Sequence, residues 1–219
     1  MYIKNLEIWF NKWRLQLSAK KCSYNIYKKG NLPINIKNNT LSLKLFNCIL
    51  NLDKKPLYLG ANLDSQLNFK NHADIIKKKC LKSLNVLTNL SYKNWSLSIE
   101  EKLTVYKCLI RSKMEYTAPT LLMSKYFMQQ MQGVQYRALK IILKKGYKTS
   151  STYLHSTAKI ETIEERFKKI SINYLNNAIL NKNPLILELT NNLIFSVGEH
   201  KTPIEKIRDL GTINSIGGI

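Results

Sequence analysis

Glycine, proline and acid are the scarce components of this 219-residue chain. It has only eight glycines and five prolines. They form neither a G-x-x-x-x-G-K-[ST] loop nor a G-x-G-x-x-G turn, which argues against a backbone phosphate cradle. No G-x-S-x-G nucleophile elbow is present. The aspartates Asp53, Asp64, Asp74 and Asp209 stand apart, with no D-D or D-x-D pair to hold two metal ions about 4 Å apart. Cys22, Cys48, Cys80 and Cys108 include no C-x-x-C pair, and His72, His155 and His200 are equally scattered, so a zinc site is not expected. No apolar run approaches the ~20 residues that span a bilayer. The N-terminal MYIKNLEIWFNKWRL has no uninterrupted apolar h-region and no small-residue cleavage site. An intracellular protein, in nucleus or cytoplasm, with buried free thiols is expected. No cofactor, membrane or small-molecule substrate is expected for the chain.

What the chain does have is positive charge and enough apolar material for a core. Hydrophobic residues make up 44% and aromatics 10%. That excludes disordered acidic, collagenous and disulfide-miniprotein classes. The formal net charge is +21, from 35 Lys and Arg against 14 Asp and Glu. Such a chain attracts polyanions. Lysine supplies 30 of the 35 cations and asparagine is also abundant at 23, a bias that A/T-rich coding alone can produce. Nucleic-acid binding is the favoured reading of the two.

The patterning divides the chain. Residues 3–17 read as a helix with Leu6, Trp9, Phe10 and Trp13 on one core-facing side. Cys22–Tyr27 and Leu41–Leu50 read as strands, and Leu57–Leu63 as a short apolar element broken by Gly60. Turns are expected at Asn31-Leu32-Pro33, Lys37-Asn38-Asn39 and Asp53-Lys54-Lys55-Pro56. From about Asn68 the period becomes helical, with Phe69, Ala73, Ile76, Cys80, Leu84 and Leu87 on one stripe and Lys77, Lys78, Lys79 and Lys82 mostly off it. Ser98-Ile99-Glu100-Glu101 and Thr162-Ile163-Glu164-Glu165 are capping boxes that open two further helices, the second running to about Asn181. Leu103, Tyr106 and Ile110 point inward on the first. Another helix is expected over 124–145, with Phe127, Met131, Val134, Ala138 and Ile142 inward. Glu115 is placed to pair with Arg111 at i, i+4. The glutamate pairs in the helix first turns are explained by the dipole. The residues alone therefore describe an α+β, basic binding module with no complete active site.

Four ordered blocks carry a family resemblance. Trp13-Arg14-Leu15-Gln16-Leu17-Ser18-Ala19-Lys20-Lys21-Cys22 resembles the W-x-L-x-L-N-x-x-K-[TC] segment of non-LTR retrotransposon reverse transcriptases, in jockey-like form. Leu57-Tyr58-Leu59-Gly60-Ala61-Asn62-Leu63-Asp64, followed by Leu67, Phe69 and His72, resembles their Y-L-G-x-x-L-D-x-x-L-x-F-x-x-H. The stretch from Leu103 to Tyr116 resembles L-x-x-x-Y-x-x-L-I-R-x-x-x-E-Y, and Val134-Gln135-Tyr136-Arg137-Ala138-Leu139-Lys140 resembles I-Q-N-R-A-L-R. The match covers about residues 3–185. Ser18 departs from the usual Asn, and Ala61 from a common Val.

The resemblance implies a small antiparallel palm remnant of about three strands with a primer-grip hairpin over 1–66. It implies a helical thumb over 67–185 and a poorly ordered tail over 186–219. It implies an RNA/DNA template–primer duplex as partner, held through Lys21, Tyr58, Leu59, Gly60, Lys77, Lys78, Lys79 and Lys82. The family's Y/F-x-D-D motif does not occur, so this chain alone is expected to be inactive, with Mg²⁺ belonging only to a full-length polymerase. A stand-alone sequence-neutral nucleic-acid-binding protein and a degraded element copy are the alternatives.

Overall fold

The computed structural model describes residues 2–27, 42–92, 95–117, 125–185 and 188. They form a mixed helical and stranded fold that divides into two compact units, Met1–His72 and Ala73–Ile219. The expected turns at 31–33 and 37–39, and the expected tail apart from position 188, lie outside the described residues.

The first unit opens with helix α1 (Tyr2–Lys12). A 3₁₀ turn (Ala19–Lys21) follows and then, among the described residues, six two-residue strands: β1 (Ser23–Tyr24), β2 (Lys44–Leu45), β3 (Cys48–Ile49), β4 (Asn51–Leu52), β5 (Leu57–Tyr58) and β6 (Ala61–Asn62). The structure corrects the expected three-stranded antiparallel remnant. The described strands form three separate pairs, and one of them, β1 with β4, is parallel. The stretch read as one strand, Leu41–Leu50, is largely a hairpin instead. Phe46 and Asn47 both take positive φ, 47° and 59°, which makes a two-residue turn whose twist suits antiparallel strands. Period two cannot distinguish one strand from two short ones folded at such a turn. Asp53 caps the expected 53–56 turn, its carboxylate accepting from Lys55 N at 3.0 Å.

Helix α1 ends five residues earlier than its periodicity suggests, and none of its residues is buried. Trp9 and Trp13 are 51% and 59% exposed, so the expectation that they pack in the core is overturned. The short strand pairs of this unit offer too little apolar surface to receive two indoles. The helix is tied instead through Glu7, whose Oε1 accepts from Phe46 N at 2.6 Å.

The second unit is helical. It comprises most of α2 (Lys70–Tyr92), then α3 (Ile99–Tyr106), a π turn (Lys107–Arg111), α4 (Ser112–Glu115), α5 (Lys125–Ile142), α6 (Ser151–Ala158) and α7 (Ile163–Leu180). The stripe read from the sequence on α2 is buried, as are Leu103, Tyr106 and Ile110, and the five inward positions expected on α5. Together they form one core. Both capping boxes are present: Ser98 Oγ accepts from Glu101 N at 3.2 Å, and Thr162 Oγ1 from Glu165 N at 3.2 Å. The reciprocal bonds from Ser98 N and Thr162 N hold both glutamates below the usual carboxylate range. The i, i+4 pair also forms, at 3.0 Å, and Arg166 of α7 joins it by a two-pronged contact to Glu115 at 2.8 and 3.2 Å.

The scarcity of glycine shows at the helix ends. α1, α5, α6 and α7 finish with Arg14, Lys144, Lys159 and Lys182, all at φ of 50–51° where glycine is the usual choice. In each case the next amide bonds back five residues: Leu15 to Phe10 O, Lys145 to Lys140 O, Ile160 to His155 O and Asn183 to Ala178 O, at 3.0–3.2 Å. A left-handed non-glycine residue costs about 1–2 kcal/mol. A cation beside the helix C-terminus returns about 0.3–1 kcal/mol of that through the dipole.

The expectation of buried thiols holds for Cys80 alone: Cys48 and Cys108 are exposed and Cys22 is half-buried. Burial pushes the Cys80 thiol up to about 11. Alkylation at pH 8 is expected to modify Cys48 and Cys108 first and Cys80 at least about a hundredfold more slowly, because thiolate is the nucleophile. The native state keeps its proton where the unfolded chain loses it. The Cys80 contribution to stability is therefore intact below pH 9 and falls away as pH rises from about 9 to 11. Mass-spectrometric mapping of the labelled sites checks the order; early modification of Cys80 contradicts it.

Candidate nucleic-acid interface

The expected site residues fall in three places. Lys21 is exposed on the 3₁₀ turn, whose chain runs beside β3. Tyr58, Leu59 and Gly60 come together at the tip of the β5–β6 hairpin. Leu59 and Gly60 are its two turn residues, with φ of 44° and 81°. Gly60 therefore serves the turn and does not interrupt a strand. Tyr58 and Leu59 are 65% and 75% exposed, so the tip presents an aromatic ring, an apolar side chain and bare backbone to solvent.

Two residues of the same sequence block hold this hairpin's flank. The Asp64 carboxylate accepts from Gln66 N at 3.1 Å, Asn68 N at 3.0 Å and Phe69 N at 2.7 Å, folding the chain into α2. His72 is fully buried, and its Nδ1 accepts from Asn62 N on β6 at 3.3 Å. The Asp and His of the block are thus positioning residues for the hairpin.

On α2 the four lysines do not act as one. At about 100° per residue, Lys78 and Lys82 share a face, while Lys77 and Lys79 are turned to either side of Lys78. The Lys77 Nζ donates to Gln130 Oε1 on α5 at 2.6 Å. Lys78, Lys79 and Lys82 are exposed.

A further basic cluster is not among the residues expected from the sequence. Between Glu115 and Glu161 lie seven Lys and Arg and no carboxylate. That imbalance is readable in the sequence, but which of the seven converge is not. α2 and α5 run side by side in the same direction, since Asp74 accepts from Tyr126 OH at 2.7 Å and Lys77 reaches Gln130 one turn on. Beyond these bonds the two helices enclose an open groove of 430 Å³. Arg137, Lys140 and Lys145 supply its cations and Tyr92 and Tyr147 its rings. The Lys140 Nζ lies 4.3 Å from the Tyr136 ring centre and 4.7 Å from that of Tyr147.

No group of three or more His, Cys, Asp or Glu side chains suited to a metal ion occurs among the described residues. No helix among the described residues is long and apolar enough to cross a membrane.

Comparison with known proteins gives one informative relationship. No family model matches the chain. No solved structure matches it. A protein of Drosophila melanogaster described as "Probable RNA-directed DNA polymerase from transposon BS" is 23% identical over 175 residues, covering 79% of this chain and 19% of the relative. The chain thus spans about a fifth of the length of the curated relative it matches, and the shared region supports a reverse-transcriptase-like relationship.

Proposed function

We propose that this chain is the primer-grip and thumb portion of a non-LTR retrotransposon reverse transcriptase, jockey-like in type, and that it holds a template–primer duplex. Residues 1–66 form the end of the palm with the primer-grip hairpin, and 67–185 form the thumb. The observation that carries the reading is the presence in one chain of an exposed, glycine-turned hairpin tip and of a helix, α2, with exposed lysines at Lys78, Lys79 and Lys82. The tip's backbone at Leu59 and Gly60 suits close approach to a sugar–phosphate chain. Lys78 and Lys82 act on phosphates as point charges and read no bases. Lys21 contributes a further exposed charge. The relationship to a transposon polymerase supports this reading.

The test is the salt dependence of binding to a DNA–RNA hybrid, followed by fluorescence anisotropy. Each phosphate contact contributes roughly 0.9 log units of affinity per log unit of salt on B-DNA. Lys78→Gln with Lys82→Gln is expected to flatten the slope by about two contacts, or ~1.8. Both side chains are exposed, so the fold is unaffected. A slope equal to the parent's would mean that this face is merely solvated.

A further inference from the structure

The groove between α2 and α5 has features that a duplex-binding face does not need. Its volume of 430 Å³ lies within the range of about 300–1,000 Å³ typical of ligand clefts. Leu81 and Ile141 give it an apolar floor, and Asn85 adds an amide able both to donate and to accept. Tyr147 is 88% exposed, so one face of its ring is open while Lys140 lies against the other. The loop that carries Tyr147 is held in place: the Tyr136 hydroxyl donates to Thr149 O, and Thr149 Oγ1 donates to Gly146 O at 2.9 Å. None of the described residues lining the groove is acidic.

We propose that this groove binds single-stranded nucleic acid, with an unpaired base stacked on Tyr147 and the adjoining phosphates at Arg137 and Lys145. The argument is one of accessibility. Paired bases present only their edges, whereas an unpaired base offers its face to an aromatic ring. A ring backed by a lysine, beside two further cations, suits a strand whose bases and phosphates alternate at close spacing. The inference rests on the reading of the chain as a nucleic-acid-binding protein, but on residues other than those assigned to the duplex.

The experiment compares a single strand of about 10 nucleotides with the DNA–RNA hybrid, using the full chain. Tyr147→Ala is expected to weaken single-strand binding by about tenfold and to leave hybrid affinity and thermal unfolding at parent values. Tyr147→Phe is expected to retain parent single-strand affinity, since stacking needs the ring and not the hydroxyl. Arg137→Gln with Lys145→Gln is expected to flatten the single-strand salt slope by about 1.4, at ~0.7 per contact. Unchanged single-strand affinity in Tyr147→Ala overturns the groove proposal, even where the hybrid still depends on Lys78 and Lys82. Loss of that Lys78 and Lys82 dependence, with Tyr147 still needed by the single strand, overturns the duplex reading alone.

Discussion

Gln135→Leu is expected to lower the unfolding free energy of the helical unit by about 2–6 kcal/mol. Leucine fills nearly the same space, so the loss comes from hydrogen bonding. Gln135 is fully buried, its Oε1 accepts from the Tyr106 hydroxyl, and its Nε2 donates to Glu161 O at 2.9 Å. Removing the amide strands a phenol and a carbonyl, each at about 1–3 kcal/mol. Burial raises the Tyr106 phenol well above its ordinary range, so it has no escape by ionising. Urea denaturation measures the loss. The double variant Tyr106→Phe with Gln135→Leu is expected to recover part of it, because the phenol is then absent and no longer unpaired. A single-variant loss under about 0.5 kcal/mol contradicts the network.

Phe127→Ala is expected to cost about 3–5 kcal/mol, through lost transfer energy and the cavity left behind. The ring is 1% exposed, and its centre lies 6.1 Å from that of Phe167 on α7. It joins α5 to α7. A fall in Tm of about 6–20 °C is expected for a chain of this length. A change of only a few degrees would show that α5 and α7 close around the void.

These two residues mark the limit of what the sequence discloses. Phe127 sits on a stripe of five, and a helical period sustained along the whole of α5 is hard to mistake. The capping boxes at Ser98 and Thr162 are equally legible, because each closes within four residues. Gln135 appears in the sequence only as a member of a resembling block; its partners lie 29 and 26 residues away. α6 escapes the periodicity because Ser, Thr, Tyr and His fill it and only Leu154 and Ala158 are buried. The strands, at two residues each, are shorter than any periodicity can register. Trp9 and Trp13 show the opposite failure: a regular apolar stripe says which residues share a side, and says nothing of whether anything covers it. The groove is illegible for a further reason. Tyr92 and Tyr147 are distant in sequence, and they line one groove only because α2 and α5 lie side by side.

The exposed indoles have a spectroscopic consequence. The chain has three tryptophans, Trp9, Trp13 and Trp95, and all are more than half exposed. The native emission spectrum is therefore expected to resemble that of indole in water, and denaturation to shift it little. Core melting in the helical unit is better followed by helical circular dichroism, since no indole lies in that core. The same property turns the tryptophans into surface reporters. Trp9 lies on α1, Trp13 just past its end, and Trp95 just ahead of α3. Anything that settles on either place is seen as a blue shift, against a background that folding itself leaves almost unchanged.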